Sequence, residues 1–176
     1  MQTEPTGTLV LERASTSLIP QEAGSNSDRD LNVTGVPADM IEGVWEEVGP
    51  WIEKALSFGN GEFGVTDIYD ALIGRDMQLW IIYEMPEKAI VLAVVTQIIH
   101  YPLKKTCRVV TLGGESHLLW ERRLFVLEEW ASEQGCSNVE AFVRGGLAKK
   151  MKHLGYNNTY TVVSKDIKGG EVSGAN

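Results

Sequence analysis

The run CRVVTLGG (107–114), ESHLLWERRLFVLEEWASEQG (115–135), SNVEAFVR (137–144), GGLAKKMKHLGY (145–156) and TYTVVSKDI (159–167) decides the fold. It reads as strand, Gly-Gly turn, long amphipathic helix, strand, short basic helix and last strand. Trp120, Leu124, Leu127 and Ala131 share one stripe of a helix expected from His117 to about Gln134, with Val126 and Trp130 beside it and Gly135 as its stop. A helix placed between two strands calls for a parallel crossover, right-handed by the general rule. Glycines between a strand and a helix can present main-chain N–H groups to an anion. The same run predicts strands at 139–143 and 160–165 and a helix at 147–154 closed by Gly155.

Upstream of this run, Ile41, Val44, Trp45, Val48, Trp51, Ile52, Ala55 and Leu56 recur at helical spacing, with a break expected near Gly49-Pro50. Thr66-Asp67 look like the cap of a second helix, 68–73, stopped by Gly74. Residues 78–84 and 89–100 flank the turn MPEK as an antiparallel hairpin, and 104–112 make a third strand. The expectation is an α/β domain over 34–167: a mixed, mostly antiparallel sheet flanked by helices. Residues 1–33 are polar, with GSNSDRD at 24–30, and read as a flexible arm able to dock on a protein partner. Residues 168–176 read as a loose tail.

Composition narrows the function. Across 176 residues the formal net charge is −8, which argues against a surface wholly devoted to nucleic acid. The local exception is Arg144, Lys149, Lys150, Lys152 and His153, a cluster that could meet nucleic acid, an acidic partner or a phosphate, or simply be a solvated helix face. No apolar run reaches the roughly 18–20 residues of a membrane span, and the N-terminus lacks the pattern of a secretory signal. The two cysteines, Cys107 and Cys136, suit small buried residues better than a disulfide, and the three histidines lack the paired spacing of a zinc site. The five tryptophans fall mostly at core-facing positions, with Trp45 and Trp51 also open to a partner interface.

The element order resembles the GNAT superfamily of acyl-CoA-dependent N-acyltransferases, over about 37–167. The strings YPLKK (101–105), the Gly-Gly after the third strand, WASEQGC (130–136) and KKMKHLGY (149–156) resemble, more narrowly, a phage-encoded GNAT-like group that includes internal virion proteins of short-tailed phages. The resemblance implies a CoA pyrophosphate loop of the form Gln/Arg-x-x-Gly-x-Gly/Ala. The matching stretch is LGGESH (112–117), which makes Gly113, Gly114, Ser116 and His117 the candidate cofactor residues. It lacks the Gln/Arg and the spaced second glycine, and Glu115 sits where a pyrophosphate would lie. Beside a helix N-terminus Glu115 also suits the dipole, with Ser116 as a cap.

The resemblance further implies a tyrosine general acid four residues before Gly155, where this chain has Met151. Glu84, His100 and Tyr156 remain as catalytic candidates, with His117 as a further base. No metal is expected, and acetyl-CoA is the only cofactor the resemblance suggests, with these departures weighing against it. The leading expectation is a catalytically degenerate GNAT-fold phage protein acting as a structural or internal virion component, located in the virion or host cytoplasm. One alternative is an N-acetyltransferase with an atypical cofactor loop. The other is a phage regulator that binds a host protein.

Overall fold

In the computed structural model, residues 30–115, 121 and 123–167 are described. Their elements are β1 (Leu31–Val36), α1 (Ile41–Leu56), α2 (Val65–Ile73), β2 (Gln78–Glu84), β3 (Ala89–His100), β4 (Lys105–Gly114), α3 (Leu124–Glu133), β5 (Asn138–Ala141) and α4 (Gly145–Met151). The five strands form one sheet in the order β1-β2-β3-β4-β5. The first three pairings are antiparallel and β4–β5 is parallel, with α3 in the connection. The chain divides into two compact units, Met1–Phe142 and Val143–Asn176. The first carries the sheet, α1, α2 and α3; the second carries α4.

The alternation of β2 and β3 sorts their side chains between two helical layers. Leu79, Ala93 and Val95 join Ile41, Val48 and Ile52 of α1, Ile68 and Leu72 of α2, and Met77 in one buried cluster. Trp80, one residue out of phase with Leu79, faces α3 and meets Trp130 edge-on, with ring centroids 4.8 Å apart. Leu124, Leu127 and Ala131 are the buried stripe of α3. At the centre, Trp80 Nε1 donates to the hydroxyl of Thr96, which donates in turn to Gln78 Oε1. A fully buried threonine is thereby satisfied in both roles.

Several expectations need correction. The folded region starts earlier: Leu31, Asn32 and Val33 pair with Glu84, Tyr83 and Ile82 and belong to β1, not to an arm. Residues 1–29, which carry the rest of the expected arm, and the 168–176 tail lie outside the described residues. Helix α1 runs unbroken through Pro50, because Pro50 and Glu46, whose carbonyl it cannot bond, are both on the exposed side. Helix α2 starts at Val65, with the Asp67 carboxylate accepting the Gly64 N–H at 2.7 Å. The expected last strand at 160–165 does not form, since no strand pairs with it among the described residues.

The main correction concerns the glycines. Gly113 and Gly114 do not turn; they continue β4, paired with Ala93 and Leu92. The ladder extends one residue further, through the Glu115 N–H to the Val91 carbonyl at 2.9 Å. A Cβ on Gly113 would lie 2.4 Å from the Trp51 carbonyl oxygen of α1, and one on Gly114 would lie 2.4 Å from the Val91 carbonyl oxygen. Gly114 also has φ +145°, a conformation that strains any residue with a side chain. These glycines let a helix and a neighbouring strand approach the β4 backbone.

Cys107 and Cys136 are both free thiols. Burial pushes Cys107, in β4, up to about 12 from an ordinary 9.0, and burial raises Cys136 as well.

Three stability predictions follow from this packing. Gly113→Ala should destabilise by about 1–3 kcal/mol or more, the usual range for overpacking, since the clash is with helix backbone. Gly43→Ala, in the same helix with nothing within 4 Å, should instead stabilise by about 0.5–1 kcal/mol in urea unfolding. For Cys107 the folded state holds the proton that the unfolded chain releases above pH 9.0, so its contribution is intact below 9.0 and lost as pH rises toward about 12. Wild type should therefore lose up to about 1.4 kcal/mol per pH unit more than Cys107→Ala across that window.

Candidate functional site

The sheet opens between β4 and β5. The parallel ladder holds four residue pairs, from Thr106↔Asn138 to Val109↔Ala141, and then ends while β4 continues to Gly114. On the paired stretch, side chains reinforce the backbone. The Thr106 hydroxyl donates to Asn138 Oδ1 at 2.9 Å, and Arg108 binds Glu140 Oε1 through Nε at 2.9 Å and Nη2 at 2.7 Å. The Arg108 guanidinium also donates to the Tyr101 hydroxyl and lies 4.8 Å from the Phe142 ring centroid. Below this, the Ser137 N–H donates to the Lys105 carbonyl and Lys105 Nζ reaches the Gln134 carbonyl at the end of α3.

The end of the β4–β5 ladder coincides with an irregularity on the other side of β4. Thr96 pairs with Val109 but Val95 pairs with Thr111, so Val110 is an extra residue, a β-bulge. A bulge bends its strand and redirects its backbone groups. Beyond it, the Glu115–Val91 bond fixes the alternation: Gly113 and Thr111 direct their N–H and C=O toward β3, and Leu112 and Gly114 direct theirs toward the opposite edge. Along that edge, past Ala141, β4 has no strand partner among the described residues. The result is a pair of residues with main-chain donors and acceptors at the carboxyl end of β4, past the last residue of β5, a location that suits ligand binding in open sheets.

The predicted residues are distributed around this opening rather than gathered in it. Gly113 and Gly114 lie on β4 at its open end, where their lack of side chains serves packing. Ser116 and His117 lie outside the described residues. Glu84 ends β2, two strands from β4, paired with Leu31 and Ala89. His100 pairs with Lys105 at the opposite end of β4, five residues from the bulge, or about 17 Å along the strand. Tyr156 is half-buried in the second unit, and its N–H donates to the Met151 carbonyl. Arg144, Lys149, Lys150, Lys152 and His153 also belong to the second unit; all but Arg144 lie in or beside the last turns of α4. Between Val109 and Gly114, β4 carries no titratable side chain.

Two features escape a reading of the sequence. The Val110 bulge has no local signature, because V-V-T-L reads as an uninterrupted strand. The other is Arg123, the N-cap of α3, whose Nε is buried with no hydrogen-bond partner among the described residues. A cation at a helix N-terminus opposes the dipole, and a buried unpaired donor calls for an acceptor. That signal was legible in principle. The helix expected from His117 places Arg123 in its middle, and residues 117–120 and 122 of that stretch lie outside the described residues.

Among the described residues no cluster of His, Cys, Asp or Glu could hold a metal ion, and no helix is long and apolar enough to cross a membrane.

No family model matches the sequence, and no curated protein sequence matches it. Solved structures do match. Glucosamine-6-phosphate N-acetyltransferase from Arabidopsis thaliana is 13% identical, with a TM-score of 0.55 over 78% of this chain and 99% of that one. An aminoglycoside acetyltransferase from an uncultured soil metagenomic sample, in complex with sisomicin, is 9% identical, with a TM-score of 0.58 over 78% of this chain and 97% of its own. An acetyltransferase of Trypanosoma brucei is 14% identical, with a TM-score of 0.54 over 78% of this chain and all (100%) of its own. At these identities the likeness is one of fold: this chain has the fold of the GNAT acetyltransferases.

Proposed function

We propose that the protein binds an acyl-CoA along the open edge of β4 and transfers its acyl group to an amine. The observation that carries this reading is the coincidence of the Val110 bulge with the end of β4–β5 pairing, which frees the backbone edge at Leu112 and Gly114. The pantetheine arm of CoA is a chain of amides, and an extended amide chain is what an open strand edge accepts. Main-chain N–H groups there are donors for a thioester carbonyl whose oxygen gains charge during attack. In the transfer, the amine nitrogen forms a bond to the acyl carbon, the C–S bond breaks, and the thiolate takes up the proton the amine releases.

The fit to the donor is specific in its parts. Gly113 and Gly114 have a packing role of their own, because the space a Cβ would fill is taken by the carbonyls of Trp51 and Val91. Arg123, with its buried unpaired Nε at the start of α3, is the residue suited to hold the diphosphate. Phosphate recognition therefore rests on a guanidinium instead of a glycine-rich loop.

A second reading keeps the fold without the chemistry, as an internal or structural component of a phage particle. The absence of a titratable side chain on β4 beyond the bulge and the use of both glycines in packing favour it. Met151 at the expected acid position adds to it.

Acetyl-CoA titration followed by thermal unfolding separates these. A donor present at a hundredfold excess over its Kd should stabilise by about 2.7 kcal/mol. Arg123→Ala should weaken binding, since it removes a charge-assisted contact of about 1.5–3 kcal/mol. Release of free CoA thiol in the presence of amines supports transfer, whereas binding without release supports the second reading. No stabilisation at saturating acetyl-CoA overturns the donor-binding proposal.

A further inference from the structure

Between residues 30 and 74 the sequence holds nine carboxylates and a single basic residue, Lys54, so this stretch alone carries a charge equal to the formal −8 of the whole chain. The remaining acids and bases cancel, and the acidity of the protein is a property of one region. That region folds as β1, α1 and α2. Charge concentrated in this way steers and selects oppositely charged partners.

Two shallow depressions of about 520 and 470 Å³ lie along the start of α1 and meet at Glu42. Their apolar walls are Met40, which is 59% exposed, and Val44 in the first, and Trp45, Val65 and Tyr69 in the second. Asp39, Glu42 and Glu46 supply the carboxylates, all three exposed. The aromatic wall is held in place. The rings of Trp45 and Tyr69 meet edge-on with centroids 4.9 Å apart, and Gly49 leaves room for the indole, since a Cβ there would lie 3.2 Å from Trp45 Nε1. Glu42 and Glu46 stand about 6 Å apart along the helix, one turn. Among the described residues no ion pair engages Asp39, Glu42 or Glu46. Ile41, Val48 and Ile52 form the face that α1 turns to the core, so the groove lies on the outer side of the helix pair, apart from the β4 edge.

We propose that this groove docks a basic amphipathic segment of a partner protein, with its apolar residues against Met40, Trp45 and Tyr69 and its lysine or arginine side chains on Asp39, Glu42 and Glu46. Apolar walls alone would accept any hydrophobic segment, and the carboxylates select a cationic one. The indole adds to this preference, because its face attracts an ammonium or guanidinium group. Acids spaced along a helix match several cations on one chain, whereas a small amine would engage only one of them. This inference is independent of acyl-CoA binding.

Titration of the full-length protein with a synthetic amphipathic lysine–leucine peptide, followed by calorimetry and NMR, tests it. The expected result is saturable binding, with amide shifts centred on 39–46 and 65–69 and on the Trp45 indole N–H. Glu42→Gln combined with Glu46→Gln should weaken binding about tenfold. Glu47→Gln combined with Glu133→Gln removes the same charge from exposed positions outside the groove, and should weaken it no more than about twofold. Absence of binding overturns the proposal. Equal losses in the two pairs of variants also overturn it, by reducing the attraction to net charge. So does equal affinity for a lysine–serine peptide, which would leave the apolar walls without a part in docking.

Discussion

The contact between Gly113 and Trp51 is the constraint on which this molecule turns. A helix normally rests on a sheet through interlocked side chains. Here the carbonyl of α1 approaches so closely that a Cβ on β4 would sit 2.4 Å from it. That approach sets α1 against the far end of β4, and with it the cluster joining α1 and α2 to β2 and β3. It also determines what β4 can do beyond the bulge. One face meets helix backbone and one edge is bonded to β3, and the opposite edge past Ala141 has no strand partner among the described residues.

β5 shows the complementary economy. It is only four residues long, and its hold on β4 is concentrated in the Arg108–Glu140 pair and the Thr106–Asn138 bond. Both sit on the paired half, so the strands are fastened below the opening and free above it. A longer β5 would have continued the ladder and consumed the same N–H and C=O groups that the opening presents. The brevity of β5 is what leaves that edge of β4 without a strand partner among the described residues.

Much of this architecture was legible in the sequence, and the physical reason is periodicity. β2 and β3 follow from their apolar runs and the intervening turn with the bounds the structure has, and the stripe of Leu124, Leu127 and Ala131 gives the buried face of α3. What failed was governed by tertiary contact. Gly-Gly reads locally as a turn, and only the position of Trp51 reveals it as strand. β1 carries a glycine and polar alternates, so its pairing with β2 outweighs a weak local pattern. Residues 160–165 have strand composition but no partner in the chain as described, and composition alone does not make a ladder. The candidate catalytic residues Glu84, His100 and Tyr156 were chosen by side-chain type, and the fold spreads them over β2, the far end of β4 and the second unit.

The same lesson reaches the electrostatics of the opening. Glu115 stands at the end of β4 and donates its N–H to Val91, so its position is dictated by the ladder. A carboxylate there opposes a phosphate by about 1 kcal/mol in water at 4 Å, and by more where water is excluded. An anion accommodated by this chain is therefore better served farther along, where Arg123 begins α3 and the helix dipole adds to the guanidinium. Sequence reading placed the anion at the glycines because glycine is the usual mark of a phosphate loop. Both glycines have a packing role, and the buried Arg123 Nε, without a hydrogen-bond partner among the described residues, becomes the stronger chemical argument.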